Sequence, residues 1–125
     1  MPSNINRGPR QIWLAFTWSM KGLRAGWRIE ASFRLEVILV VILFPIGLWL
    51  GPGAIEKALL AGSLLPVLAA EMLNSAVECL VDKLWPELHE TAGRAKDMGS
   101  AAVFLLMVNV LVIWVVILGA RSGAW

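Results

Sequence analysis

The 125-residue chain has one cysteine, one histidine and little charge. Cys79 alone makes neither an intrachain disulfide nor a cysteine metal cluster, and it leaves the redox compartment unread. The single histidine, His89, lies in "HETAG", which lacks the second histidine of H-E-x-x-H, so a zinc protease is not expected. "GRAKD" lacks the G-x-x-x-x-G-K-[ST] spacing of a phosphate-binding P-loop. Charged residues make up 16% of the chain, against about 25% for an ordinary soluble domain. No internal repeat, low-complexity segment or soluble domain is visible. Arg7 and Arg10 come early, but an amphipathic segment follows them, and no apolar run ends in a small-residue cleavage site. A cleavable signal is therefore not expected.

What is present is apolar: 58% of residues are hydrophobic. Three stretches, 37–55, 58–70 and 98–120, carry no charge at all. The first and third are long enough for a transmembrane helix, which needs roughly 20 residues. The middle one becomes a full span if its helix continues into "EMLNSAVECLVDKL", residues 71–84. The expected fold class is an all-α membrane protein with three transmembrane helices in a single membrane domain over 1–125. Arg7, Arg10, Lys21, Arg24, Arg28 and Arg34 precede the first span, and Lys83, Arg94 and Lys96 lie between the second and third. The 51–57 loop has one lysine and the C-terminal tail only Arg121. By the positive-inside rule the N-terminus and the 83–97 loop are cytoplasmic, and the C-terminus is outside.

Residues 9–30 place Ile12, Phe16, Met20, Leu23 and Trp27 at helical spacing, with Arg10, Ser19, Lys21, Arg24 and Arg28 elsewhere. A basic amphipathic helix with tryptophans suits the membrane interface. Helices are expected over about 31–50, 55–84 and 96–119. Pro45 and Pro66 are expected to kink the first two, and "GPG" at 51–53 to end the first. "PELHETAGRAKD" reads as a polar loop before the third.

The segment 71–84 raises the functional question, because a carboxylate in hydrocarbon costs at least a few kcal/mol. At about 100° per residue, Glu71, Asn74, Ser75, Glu78 and Asp82 fall on one stripe roughly 100° wide. Three readings compete. The polar groups could hydrogen-bond neighbouring helices, drawn close by Ala69, Ala70 and Ala76. Glu71 or Glu78 could carry protons or cations in a transporter. Or the stripe could form a divalent-metal and nucleotide site, since Mg2+ takes one or two carboxylates plus substrate phosphates. The surroundings favour the third. Glu30 lies at the depth expected for Glu78, and Arg94 and Lys96 lie on the same side as partners for phosphate. The other two spans have nothing polar at mid-depth beyond Asn109, which reads as a helix–helix contact. Residue chemistry alone leads to an interfacial site using carboxylates, Mg2+ and an anionic substrate.

"SMKGLRAGWRIEASFRLE", "EMLNSAVECLVDKL" and "ELHETAGRAKDMGSAAV" together resemble the prokaryotic diacylglycerol kinase family, small trimeric membrane kinases of Gram-negative bacteria. The resemblance runs over about residues 10–120, and "E-x-x-N-S-A-x-E" followed by "GRAKDMGSAAV" is its most specific part. It implies transfer of the γ-phosphoryl group of MgATP to the sn-3 hydroxyl of diacylglycerol, giving phosphatidic acid, in the bacterial inner membrane. By the same resemblance Glu71 is the general base, with Asn74 and Lys96 beside it in catalysis, and Glu30 and Glu78 hold the metal. The nucleotide positions it implies are Gln11, Trp18, Glu30, Glu78, Glu87, His89, Lys96 and Asp97. For the lipid it implies Ala15, Ser19, Arg24, Trp27 and Ser32, then Arg34, Glu36, Glu71, Ser100 and Trp114. The chain departs from the family pattern at Gln11, where an arginine is expected, and at Trp18, where a tyrosine is. "WRIE" replaces a motif usually ending Asn-Glu, and Pro66 stands just before the catalytic glutamate. Undecaprenol kinases of Gram-positive bacteria share the acidic motifs. The resemblance also implies a homotrimer with sites at subunit boundaries, and no nucleic acid partner.

Overall fold

The computed structural model describes residues 8–87 and 89–124; Arg7 lies outside them. Five helices are formed, α1 (Pro9–Ile29), α2 (Ala31–Leu50), α3 (Ala54–Gly62), α4 (Leu64–Leu84) and α5 (Glu90–Ser122), and the described residues contain no strand. Three lengths of helix, α2, the pair α3–α4 and α5, are long and apolar enough to cross a membrane.

Helix α1 starts on Pro9, where the missing N–H would have had no helical partner. Its apolar face is left uncovered by the rest of the chain: Ile12, Phe16, Met20, Leu23 and Trp27 are each at least 40% exposed. Glu30 then breaks from helical geometry (φ −103°, ψ 116°) and turns the chain into α2. Arg34 fastens that corner, because its Nη1 donates to the carbonyls of Trp27 at 3.0 Å and Arg28 at 3.4 Å. Both carbonyls belong to the last turn of α1, where no intrahelical donor reaches them.

Helix α2 is 20 residues long, about 30 Å, which matches the hydrocarbon thickness. It runs through Pro45 as one helix. The helix expected over 55–84 is instead divided, ending as α3 at Gly62 and restarting as α4 at Leu64. The cause is Pro66, which offers no N–H to the carbonyl four residues back, that of Gly62, and whose ring crowds it. The break is satisfied locally: Ser63 N–H donates to Leu59 O at 3.0 Å and Ser63 Oγ to Leu60 O at 3.1 Å.

The third span also begins earlier than the sequence suggested, at Glu90 rather than 96. His89 caps it, with its Nδ1 accepting from Ala92 N–H at 3.4 Å. That acceptor serves one of the N–H groups a helix start leaves unpaired. Residues 90–97, expected in a loop, are therefore helical, and Lys96 and Asp97 are held on a rigid element. Gly123, at φ 75°, closes the far end in the left-handed conformation.

Packing relies on close approach, because lipid tails are as apolar as the side chains they would displace. Gly47 of α2 is buried against α3, and a Cβ added there would lie 3.1 Å from both Ala61 N and Leu60 Cβ. Leu60 has no exposed surface, and its carbonyl accepts from Trp114 Nε1 at 3.1 Å, tying α3 to α5. Arg121 Nη1 donates to Leu50 O at 2.6 Å, placing a cation on the last turn of α2. Helices α4 and α5 pack along a seam. On α4, Leu64, Val67, Glu71 and Val81 are buried, with Asn74 and Glu78 half-buried between them. On α5 the matching line is Ala92, Lys96, Gly99 and Val103. Alternating steps of three and four are those of two helices packed at a shallow angle.

Replacing Gly47 by valine should force α2 and α3 apart and cost about 1–3 kcal/mol. Unfolding in detergent micelles measures it, and an unchanged midpoint would refute close packing at this position.

Candidate active site at one end of the spans

Glu71 lies on the seam and is only 6% exposed. Ser32, in the first turn of α2, donates its hydroxyl hydrogen to Glu71 Oε1. The other oxygen is left for a further donor, so this buried carboxylate is oriented but not saturated. One turn on, Asn74 Nδ2 donates to Glu78 Oε1 at 3.2 Å. Asn74 Oδ1 is buried and has no hydrogen-bond partner among the described residues. A further turn along, Asp82 Oδ1 accepts from Lys96 Nζ at 2.8 Å. The stripe inferred from spacing is thus a set of defined contacts, passing from α2 at Glu71 to α5 at Asp82.

Glu30 stands on the other side of α4. It lines a cavity of about 230 Å3 between α1 and α4, together with Gly26, Met72, Ser75 and Cys79. Among the described residues no group of three or more His, Cys, Asp and Glu side chains is arranged to hold a metal. The donors on hand, Glu30 and Glu78, are hard carboxylate oxygens. Oxygens of this kind suit Mg2+, which takes one or two carboxylates with waters and substrate phosphates. Glu30 lines the α1–α4 cavity, whereas Glu78 is bonded to Asn74 on the seam.

Past the end of α4 a second cavity, of about 190 Å3, is lined by Asp82, Trp85, Glu87, His89, Gly93 and Lys96 among others. The structure therefore brings Glu87, His89 and Lys96 together, as the sequence suggested, and adds Trp85, whose ring lies 6.1 Å from that of His89. Asp97 is exposed and does not line this cavity. Gln11 lines a separate groove at the start of α1 with Ala15, and Trp18 is half-buried on the same helix.

The residues singled out for the lipid fall into three places. Ala15, Ser19, Arg24 and Trp27 are exposed along α1, and Ser19 Oγ donates to Ala15 O at 3.0 Å. Ser32, Arg34 and Glu36 follow on α2. Glu36 is 7% exposed, its Oε2 has no partner among the described residues, and it faces an apolar cavity of about 180 Å3 beside Leu64, Val67 and Met107. Ser100 is exposed on α5, whereas Trp114 is engaged with Leu60 toward the opposite end. Sequence reasoning left Asp82 out of the site and gave Ser32 no link to Glu71. The first was visible in the stripe itself; the second is a contact 39 positions apart in sequence, which no local spacing encodes.

Fold and stripe together define a small helical membrane protein with an acidic site at one end of its spans. A match to the family described as prokaryotic diacylglycerol kinase covers residues 17–118. A diacylglycerol kinase of Escherichia coli strain K12 is 42% identical over 121 residues, 97% of this chain and 99% of that protein. One from Haemophilus influenzae is 46% identical over 97 residues, 78% of this chain and 82% of the relative. A third, from Pseudomonas aeruginosa, is 40% identical over 117 residues, 94% and 95% of the two chains. The chain belongs to the prokaryotic diacylglycerol kinase family.

The Ser32–Glu71 contact yields a direct expectation. Ser32→Ala removes a donor from a buried carboxylate and should destabilise the protein by about 1–3 kcal/mol, while Ser32→Thr keeps the hydroxyl and most of the stability. Thermal unfolding of the two variants decides it; equal stability of the alanine variant and the unaltered protein would rule the contact out.

Proposed function

We propose that the chain is an ATP-dependent diacylglycerol kinase, a lipid phosphotransferase that converts diacylglycerol and MgATP to phosphatidic acid and MgADP. The observation that carries the reading is Glu71, a buried carboxylate on a spanning helix with one oxygen held by Ser32 and the other available. Such a group can receive the proton of the lipid sn-3 hydroxyl as that oxygen bonds to the γ-phosphorus and the bond to the β-phosphate oxygen breaks. Phosphoryl transfer needs mainly positioning and charge stabilisation, and the chain's residues supply both.

Glu30 and Glu78 would hold Mg2+, which with the ATP phosphates would neutralise the charge of the transferring group. Asn74 holds the Glu78 carboxylate through its Nδ2. Lys96 exchanges Asp82 for a phosphate oxygen when the nucleotide enters. Glu87, His89 and Asp97 attend the nucleotide at the start of α5, and Gln11 and Trp18 approach it from α1. The acceptor lipid lies along Ala15, Ser19, Arg24 and Trp27, and its glycerol end meets Ser32, Arg34, Glu36 and Ser100, with Trp114 deeper along an acyl chain.

Gln11 and the cavity of His89 belong to different parts of one chain, and three spans do not enclose a lipid and a nucleotide together. A homotrimer with sites at subunit boundaries meets both conditions. In the bacterial cytoplasmic membrane, α1 lies in the inner interface with its exposed apolar face in lipid. The N-terminus and the 85–89 connection are cytoplasmic, and the C-terminus is periplasmic.

Transfer of radiolabelled phosphate from ATP to lipid in mixed micelles, with diacylglycerol and undecaprenol offered side by side, tests the reading. Phosphatidic acid should dominate. Labelled undecaprenyl phosphate would change the acceptor and keep the mechanism, and no labelled lipid at all would return the stripe to ion transport. Glu71→Gln should lower turnover by at least a hundredfold while the protein folds and binds MgATP. Full activity in that folded variant would remove Glu71 from the role of base.

A further inference from the structure

We propose that Gly99 is a positioning residue for the Glu78 carboxylate, acting across the α4–α5 seam through Asn74. The carboxamide of Asn74 is hydrogen-bonded at one end and confined at the other. Its Nδ2 donates to Glu78 Oε1 at 3.2 Å. Its Oδ1 points into the seam, buried and without a partner among the described residues, at a place where α5 presents no side chain. A Cβ built on Gly99 would collide with that oxygen and would also approach Asn74 Cγ at 3.4 Å and Asn74 Cα at 3.6 Å. The space beside Gly99 is therefore the space the carboxamide occupies.

Asn has a short side chain with two torsions, so it has no flexible far end that could swing clear. A methyl group at 99 is accommodated by turning the carboxamide, which breaks the bond to Glu78, or by parting the helices, which moves α4 as a whole. Intrinsic helix propensity works the other way, since alanine favours a helix interior over glycine. A loss on Gly99→Ala is then assignable to the contact. Glu78 sits one turn from this contact and one turn from the Asp82–Lys96 ion pair, so it is bracketed by two links between the same helices. Ligand orientation by such outer partners is worth about 10–100-fold in metal affinity or activity.

The consequence for the metal rests on the reading of Glu78 given above; the packing relation itself does not. Gly99→Ala, Asn74→Ala and the double variant are compared in micelles, with Gly62→Ala as control, because a Cβ there meets nothing within 4 Å. Mn2+ binding in the presence of a non-hydrolysable ATP analogue, followed by electron paramagnetic resonance, should weaken about tenfold in Gly99→Ala and stay unchanged in Gly62→Ala. The KM for diacylglycerol should not move. In the Asn74→Ala background, Gly99→Ala should leave Mn2+ affinity unchanged and should no longer lower the thermal midpoint, which then shows only the gain in helix propensity, since the colliding oxygen is gone. Normal Mn2+ affinity in Gly99→Ala, or effects of the two substitutions that simply add, would overturn the proposal. A Glu78→Gln variant that binds Mn2+ as before would instead remove the metal role of Glu78, and the thermal cycle would still decide whether Gly99 acts through Asn74.

Discussion

The line along which α4 packs on α5 is also the line that carries the buried polar groups, and this double use constrains the whole molecule. Glu71, Asn74 and Glu78 occupy seam positions that an ordinary helix pair would fill with leucine or valine. Helices in lipid gain little from hiding apolar surface and depend on close contact and hydrogen bonds. A polar seam therefore loses less here than it would in water, provided each group is satisfied. The satisfaction is uneven in a telling way. Glu71 Oε1 and Glu78 Oε1 have donors within the chain, while Asn74 Oδ1 and Glu36 Oε2 have none among the described residues. Buried polar atoms left open are costly as structure and useful as binding groups.

Rigid elements on both sides keep those groups in place. Arg34 locks the α1–α2 corner, and Glu71 reaches Ser32 beside it from α4, so three helices meet at one junction. On α5, the His89 cap brings Lys96 onto the helix, where its position follows the backbone instead of a loop. The ion pair between Lys96 and Asp82 is exposed, and it adds little stability. Its contribution is to hold the lysine at the edge of the cavity lined by Trp85 and His89.

Much of the fold was legible because its signals are periodic. Charge-free stretches gave the three spans, and the spacing of Ile12 through Trp27 gave the amphipathic helix. The misjudged boundaries have physical causes. Pro66 acts on the carbonyl of Gly62, so the helix breaks ahead of the proline and not at it. The polar residues 90–97 resemble a loop in composition, yet a histidine cap is enough to start the helix before them. The order of Glu71, Asn74, Glu78 and Asp82 on one face was also readable. Their partners were not: Ser32 and Gly99 are distant in sequence, and glycine leaves no chemical signature where its function is to be small. Placing Gln11 and Trp18 beside the nucleotide came from family likeness, and in the single chain Gln11 lines a separate groove while Trp18 is half-buried elsewhere on α1.

The spans are also unequal in length. Over their charge-free residues α2 runs from 37 to 50, about 21 Å, and α5 from 98 to 120, about 35 Å. A bilayer with a hydrocarbon thickness of about 30 Å therefore reaches the charged early turns of α2 and is too thin for α5 upright. Asp97 and Arg121 bound the longer stretch, and neither charge enters the hydrocarbon readily. The excess is taken up as tilt of α5 or as local thickening of the bilayer. Because Arg121 is tied to the end of α2, tilt pivots about that end of the spans and is expressed at the opposite one, where Lys96 and Gly99 stand. Membrane thickness thereby becomes a mechanical input to the geometry around Glu78.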